Sequence, residues 1–214
     1  CGYLLAQTVL LEEAEKSLEW LAAESQSLPV ISSVGIPHPH NGSLINAAVV
    51  FQSGKILGVV PKTFLPNYKE FYEKRWFASA LQTPECVTSI CGQRVPMQRD
   101  MLFATGNTTF GVESCEDLWS TIPPSSFLSL EGAEIVFNMS ADNDCVGKHS
   151  YLRNLVKQQS ARCIAGYVFS SCGFGESTTD VVFAGTSRIS DNGSKITAAE
   201  LYPMNRRRRV GEND

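Results

Sequence analysis

Histidine is scarce in this sequence. The 214 residues hold three, His38, His40 and His149, and none is paired with an acid. A catalytic cysteine–histidine or serine–histidine couple is therefore not signalled, and His38 and His40 read better as loop residues than as metal ligands. Other signatures are missing too. No G-x-S-x-G elbow occurs, which disfavours a serine hydrolase. No G-x-x-x-x-G-K-[ST] occurs, so there is no P-loop. No C-x-x-C pair occurs among the seven cysteines (1, 86, 91, 115, 145, 163 and 172), so neither a zinc site nor a disulfide framework is suggested. No run approaches the roughly 18 apolar residues of a membrane span, and no secretory leader pattern is visible. Basic charge is not in excess: the net charge is −4 and the pI near 5.5, which argues against a sequence-blind grip on nucleic acid. The one basic run, Arg206 to Arg209, reads as a solvated tail. Scattered thiols without partners fit a reducing cytoplasm.

What is present is an ordinary globular balance, 43% hydrophobic and 19% charged, which argues against disorder. The length suits one large domain. Residues 4–24 read as an amphipathic helix with Leu11, Ala14, Leu18 and Leu21 on one stripe. Strands are expected at Val30–Ile36, Ile45–Phe51 and Ile56–Val60. A turn-rich loop at 37–42 separates the first two, and Ser53-Gly54 makes a hairpin turn before the third. Residues 63–80 read as a loop with helical character, followed by a hairpin around Gly92. Further strands fall at Thr109–Val112, Glu134–Asn138, Ile164–Ser171, Val181–Phe183, Ser187–Ser190 and Lys195–Ala199. Helices open at Pro123-Pro124 and span 148–162. The alternation predicts an α/β fold with a mixed sheet.

Three features carry chemical interest. Cys115 follows an apolar strand and precedes two acids. A nucleophile at a strand end is exposed to substrate and has backbone N–H groups near it; the other reading is one more buried cysteine. Lys62 ends the strand Ile56–Val60. It is either a solvated terminus or a cation that favours a thiolate and a developing oxyanion. Between Lys62 and Phe77 the chain crowds Tyr68, Phe71, Tyr72, Trp76 and Phe77 among charges of both signs, either as a pocket lining or as a surface helix with one aromatic side.

These residues fall into a recognisable order. Pro61-Lys62-x-x-Leu65-Pro66-x-Tyr68-x-Glu70-Phe71-x-Glu73-x-Arg75 and Glu113-x-Cys115-Glu116-Asp117-Leu118-Trp119 together resemble the nitrilase, or carbon–nitrogen hydrolase, superfamily. More narrowly they resemble the glutaminase domains of the glutamine-dependent NAD synthetase family. Gly2-Tyr3, Gly35-Ile36-Pro37, Asn138-Met139-Ser140-Ala141, Gly147-Lys148 and the string from Gly175 to Asp180 add to the match, which runs to about Glu200.

The resemblance implies an α-β-β-α sandwich, here lacking its first strand and helix, over residues 1–200, with 201–214 starting a linker towards a synthetase domain. It implies Cys115 as nucleophile, Lys62 as the cation beside the oxyanion, the Glu116 N–H as second donor and Glu73 in support. Tyr68, Phe71, Glu116, Trp119, Ser140 and Lys148 are implied as substrate contacts, Lys148 towards an α-carboxylate; Asp142 stands where a small polar residue is expected. The implied reaction is hydrolysis of the glutamine side-chain amide through a cysteine thioester, without a metal or cofactor in this domain. ATP and magnesium belong to the synthetase domain that would use the ammonia, and a homo-oligomer is implied. The family's general base is a glutamate in a segment before the Gly-Tyr pair, which puts it upstream of Cys1 and predicts poor activity for residues 1–214 alone. The alternative is a free-standing amidase of the same superfamily acting on another small amide.

Overall fold

Strands that carry apolar residues on both faces must be covered on both sides, and the run Ala47-Ala48-Val49-Val50-Phe51 is of that kind. The computed structural model describes residues 2–173, 175–176 and 181–199. A 3₁₀ turn at Gly2–Ala6 leads into α1 (Thr8–Glu24). Then come β1 (Ser32–His40), β2 (Ser43–Gln52), β3 (Lys55–Pro61), β4 (Cys86–Ile90), β5 (Gln93–Met97), β6 (Leu102–Thr105) and β7 (Thr108–Ser114). The rest alternates: α2 (Pro124–Leu130), β8 (Ile135–Ser140), α3 (Lys148–Cys163), β9 (Gly166–Ser171), β10 (Ser187–Asp191) and β11 (Ser194–Ala198). One sheet has the order β1-β2-β3-β5-β4 and the other β11-β10-β9-β8-β7-β6.

The pleat sorts the side chains into layers. Ala47, Val49 and Phe51 join Leu18 and Ala22 of α1 in one core. Ala48 and Val50 point the other way and join Val60, Phe103, Phe110 and Val112 between the two sheets. On the far side of the second sheet, Val136, Tyr167 and Phe169 pack with Leu128 of α2 and Leu152 and Val156 of α3. The order of layers is therefore helix, sheet, sheet, helices. Tight turns make the meanders: Asn41-Gly42, Ser53-Gly54, Cys91-Gly92 and Asn192-Gly193 each take positive φ at both residues, the geometry of two-residue hairpins. The connections β7-α2-β8 and β8-α3-β9 are parallel crossovers, and they set the C-terminal ends of β7, β8 and β9 side by side.

Several sequence readings need correction. The first strand continues through Pro37 and Pro39 to His40. It is an edge strand, where a proline costs no ladder bond on the open side, so the loop expected at 37–42 shrinks to a two-residue turn. The first α-helix starts at Thr8, and it buries Leu18 and Ala22 with Ala14 partly covered, leaving Leu21 exposed. Ile164 is not strand but the left-handed cap of α3, at φ 52°. Val181–Phe183 contributes only one isolated bridge, Asn143 to Phe183. β6 was not anticipated, because Leu102–Thr105 is too short to show a period. The run Arg206 to Arg209 and the residues Ser177 to Asp180 lie outside the described residues. Among the described residues, no helix is long and apolar enough to cross a membrane.

Gly111 shows how closely the second sheet meets its helices. A β-carbon there would lie 2.7 Å from Cδ1 of Leu128, which is fully buried. Leu128→Ala is expected to cost about 2–5 kcal/mol, and Gly111→Ala about 1–3 kcal/mol through overpacking. The double variant should cost less than the two together, because the new methyl occupies part of the space vacated. Urea denaturation of the three variants checks this; strict additivity would show that the two positions do not share the space.

Candidate active site

β7 ends at Ser114, and the chain turns sharply into a 3₁₀ turn, Cys115–Trp119. Cys115 takes φ 45°, a strained backbone for a residue with a β-carbon. A capping box closes the turn: the Ser114 hydroxyl accepts from the backbone of Asp117, while the Asp117 carboxylate accepts from the Ser114 N–H at 2.9 Å. The Cys115 N–H donates to Oδ1 of Asn138 on β8 at 3.1 Å. That bond occupies the Cys115 N–H. Asn138 is held by Oε1 of Glu113 at 3.4 Å and by the Tyr167 hydroxyl at 3.1 Å. Glu113 is itself fully enclosed. It accepts from the Tyr167 hydroxyl and, at 2.8 Å, from the Ser125 N–H at the start of α2.

Lys62 arrives from the other sheet, just past β3. Only 2% of it is exposed. Its Nζ donates to both carboxylate oxygens of Glu73, at 2.9 and 2.8 Å. Glu73 can reach back eleven residues because the segment between folds on itself, with the Glu73 N–H donating to the Pro66 carbonyl at 3.0 Å. Burial opposes the Lys62 charge, but Cys115, Glu73 and Asp117 outweigh it and raise the ammonium pKa. The thiol shows the reciprocal balance. Burial pushes the Cys115 pKa up, Lys62 and the Ser140 hydroxyl pull it back, and Asp142 and Glu73 push it further. The net direction is upward, so the Cys115 side chain rests as a thiol.

Around this pair lies a polar mouth. The Tyr68 hydroxyl donates to Glu116 at 3.0 and 3.1 Å, and Phe71 meets Tyr68 edge-on at 5.9 Å. Burial raises the Glu116 pKa, with Tyr68 and Lys62 opposing. Lys148, at the start of α3, donates to Asp142 and to Asn143 at 2.6 Å each and sits 5.1 Å over the Trp119 ring. Trp119 in turn stacks on Tyr151 at 5.3 Å. Asn143 also reaches Glu70. Beside the site a groove of about 590 Å³ runs between the sheets along β1; Ser140 lines one end of it, and Cys115 is not among its walls.

The structure thus assembles Cys115, Lys62, Glu73, Tyr68, Phe71, Glu116, Trp119, Ser140 and Lys148 around one strand-end mouth. Lys148 is already engaged by Asp142, the residue that departs from the expected small side chain. His149 stands apart, against the Arg188 guanidinium at 2.6 Å. Among the described residues no group of three or more His, Cys, Asp or Glu is arranged to hold a metal ion, and Cys86, Cys91, Cys115, Cys145, Cys163 and Cys172 are free thiols. Sequence reasoning gave no role to Asp117, Glu113 or Asn138. The Ser114-x-x-Asp117 spacing is a capping-box signal for the first. Glu113 sits at a helix-facing position of β7, where alternation calls for an apolar residue.

The two-sheet sandwich agrees with comparison to known proteins. The carbon–nitrogen hydrolase family model matches residues 1–200, and the chain belongs to that family. It is 38% identical over 214 residues to the glutamine-dependent NAD(+) synthetase of Mycobacterium tuberculosis, covering 99% of this chain and 31% of that protein. The crystal structure of a glutamine-dependent NAD(+) synthetase from Cytophaga hutchinsonii superposes with a TM-score of 0.83 at 24% identity, over 94% of this chain and 32% of that one. A carbon–nitrogen hydrolase from Helicobacter pylori superposes with a TM-score of 0.74 at 19% identity, over 91% and 66%. The chain therefore spans about a third of the length of the synthetases it matches.

Asp117 makes the site's ionisation visible in stability. Burial first and Glu113 second push its pKa from 3.8 up to about 7, while the Phe64 and Ser114 N–H groups and Lys62 act the other way. A carboxyl with a folded pKa above its unfolded one binds protons more tightly in the native state. Its contribution to stability is therefore full below about 4 and is lost as pH rises to about 7. Compared with Asp117→Asn by denaturant titration, the wild type is expected to lose relative stability across that window. A constant difference between the two from pH 4 to pH 7.5 would contradict the assignment.

Proposed function

We propose that this chain is the glutamine-hydrolysing part of a glutamine-dependent NAD synthetase. The observation that carries the reading is the enclosed Lys62 ammonium, paired with Glu73 and placed where its charge draws the Cys115 pKa down. A fixed cation beside a strand-end cysteine suits an acyl transfer in which negative charge moves onto a carbonyl oxygen. The Cys115 sulfur attacks the side-chain carboxamide carbon of glutamine. The oxyanion is received by the Lys62 Nζ and the Glu116 N–H. The C–N bond breaks as the leaving nitrogen takes the proton that the base removed from the thiol, and ammonia departs. Water then attacks the thioester, the C–S bond breaks, and glutamate and the free thiol are released.

The polar mouth fits an amino-acid amide. Glu116, oriented by Tyr68, is placed to take an α-ammonium, and Lys148 an α-carboxylate as a point charge. Phe71 and Trp119 wall the methylene chain, and Ser140 sits beside the thiol. The base that takes the thiol proton is the glutamate the family carries ahead of the Gly-Tyr pair, so turnover is to be measured on the parent protein. There the released ammonia would serve a synthetase domain that consumes ATP with magnesium to convert deamido-NAD to NAD.

Intact-mass spectrometry of the parent protein after exposure to an electrophilic glutamine analogue tests this. One adduct is expected, mapped to Cys115 and absent in Cys115→Ala. Lys62→Met should lower kcat for glutamine by about 10²–10³-fold, the loss typical of a removed oxyanion donor. Adduct formation with a simple aliphatic amide electrophile but not with the glutamine analogue would instead favour an amidase of other specificity.

A further inference from the structure

The nucleophile and its cation belong to different sheets. Lys62 follows β3 in the first sheet and Cys115 follows β7 in the second, so their separation is set by how the sheets are tied at this end of the sandwich. A small slide between the layers would part sulfur from ammonium. Asp117 touches both arms. Its Oδ2 accepts the N–H of Ser114, the residue before the nucleophile, at 2.9 Å. Its Oδ1 accepts the N–H of Phe64, two residues past Lys62, at 2.8 Å. The residue is 2% exposed, so water scarcely competes for either bond. Each arm is also pinned to its own sheet. The Lys62 N–H donates to the Asn46 carbonyl at 2.8 Å, and the Cys115 N–H to Asn138 at 3.1 Å.

We propose that Asp117 is a positioning residue, a clamp with two acceptors that fixes the distance between the Lys62 ammonium and the Cys115 sulfur and thereby the thiolate content of the nucleophile. The proposal rests on Cys115 being the reactive thiol and not on which amide it attacks. Its chemistry is specific. Both partners are backbone N–H groups, which only donate. Above its pKa of about 7 the Asp117 carboxylate is ionised and offers an acceptor on each oxygen, whereas an isosteric asparagine offers one acceptor and turns an NH₂ towards the other N–H. Asp117→Asn therefore breaks one link of the clamp and keeps the volume.

The test is the pH dependence of Cys115 alkylation by iodoacetamide, followed by peptide mass so that the other thiols do not interfere. The thiolate displaces iodide and forms a C–S bond, so the rate reports the thiolate fraction. The groups that bear on this thiol are Lys62, Ser140, Asp142 and Glu73, and they are unchanged in Asp117→Asn. Removing a nearby negative charge would by itself lower the thiol pKa. Retreat of Lys62 would raise it. The proposal expects a rise, by roughly half a unit to one unit, and a several-fold slower alkylation at pH 8. In a Lys62→Met background, Asp117→Asn should add no further rise.

An unchanged or downward shift would overturn the proposal, as would an equal upward shift without Lys62. Failure of Cys115 to alkylate at any pH would overturn the nucleophile assignment as well, a distinct result. Circular dichroism verifies folding. Should Asp117→Asn not fold, Asp117→Glu, which keeps both acceptors but lengthens the arm, carries the test: a smaller upward shift supports the clamp, and a titration superimposed on the wild type overturns it.

Discussion

A primary ammonium with 2% of its surface exposed is the constraint around which this molecule is arranged. Withdrawing such a charge from water costs several kcal/mol even after the protein relaxes. The cost is tolerable only because Glu73 places both oxygens within 2.9 Å of it and keeps a quarter of its own side chain in contact with solvent. That requirement explains the segment from 63 to 80, which has little regular structure. It cannot run on as a helix or strand, because it must curl back to return Glu73 to Lys62. The aromatic residues along it cover the curl, and Tyr68 and Phe71 are left facing the mouth.

Beneath the charged pair, acids take the place of ladder bonds. Where strands stop, backbone N–H groups lose their cross-strand partners and must find others. Glu113 accepts from the head of α2 and, through Tyr167 and Asn138, from β9 and β8. Asp117 accepts from the turn that carries Cys115 and from the arm that carries Lys62. Burial raises the pKa of both carboxyls. The site is thus built from groups that would each be unfavourable alone and are satisfied by one another, which is the condition under which a buried polar network gives one arrangement instead of several.

Much of the fold was legible because it is written in short-range rules. Ser53-Gly54 and Gly92 announced two of the hairpins, and the apolar run Ile45–Phe51 announced β2. The prolines of β1 misled, since whether a proline is tolerated depends on an edge position that only the whole sheet defines. The strand expected at Val181–Phe183 had the right composition, but its pairing with the segment at Asn143 amounts to one isolated bridge. In the site, Lys62, Glu73 and Cys115 were legible through the order of their motifs, not through any local physical signal, for nothing in the spacing shows that residues from two sheets meet. Asp117 and Glu113 were passed over for the same reason. An acid beside a cysteine looks solvated in a sequence, and its burial is a property of the sandwich.

On the proposed chemistry, Lys62 has two tasks. It draws the Cys115 pKa down, although burial, Asp142 and Glu73 keep the net direction upward. In the resting site its charge is already matched by Glu73. What is unmatched is the negative charge that appears on a carbonyl oxygen once sulfur has attacked. A cation neutralised at rest and needed in the transition state contributes differentially, which is what accelerates a chemical step instead of only tightening binding. Formation of the thiolate is then left to a separate base, and the site stays quiet until base and substrate are both in place. A thiol held largely protonated is also a slow target for stray electrophiles, so the burial that makes Lys62 costly also keeps Cys115 from reacting with the wrong partner.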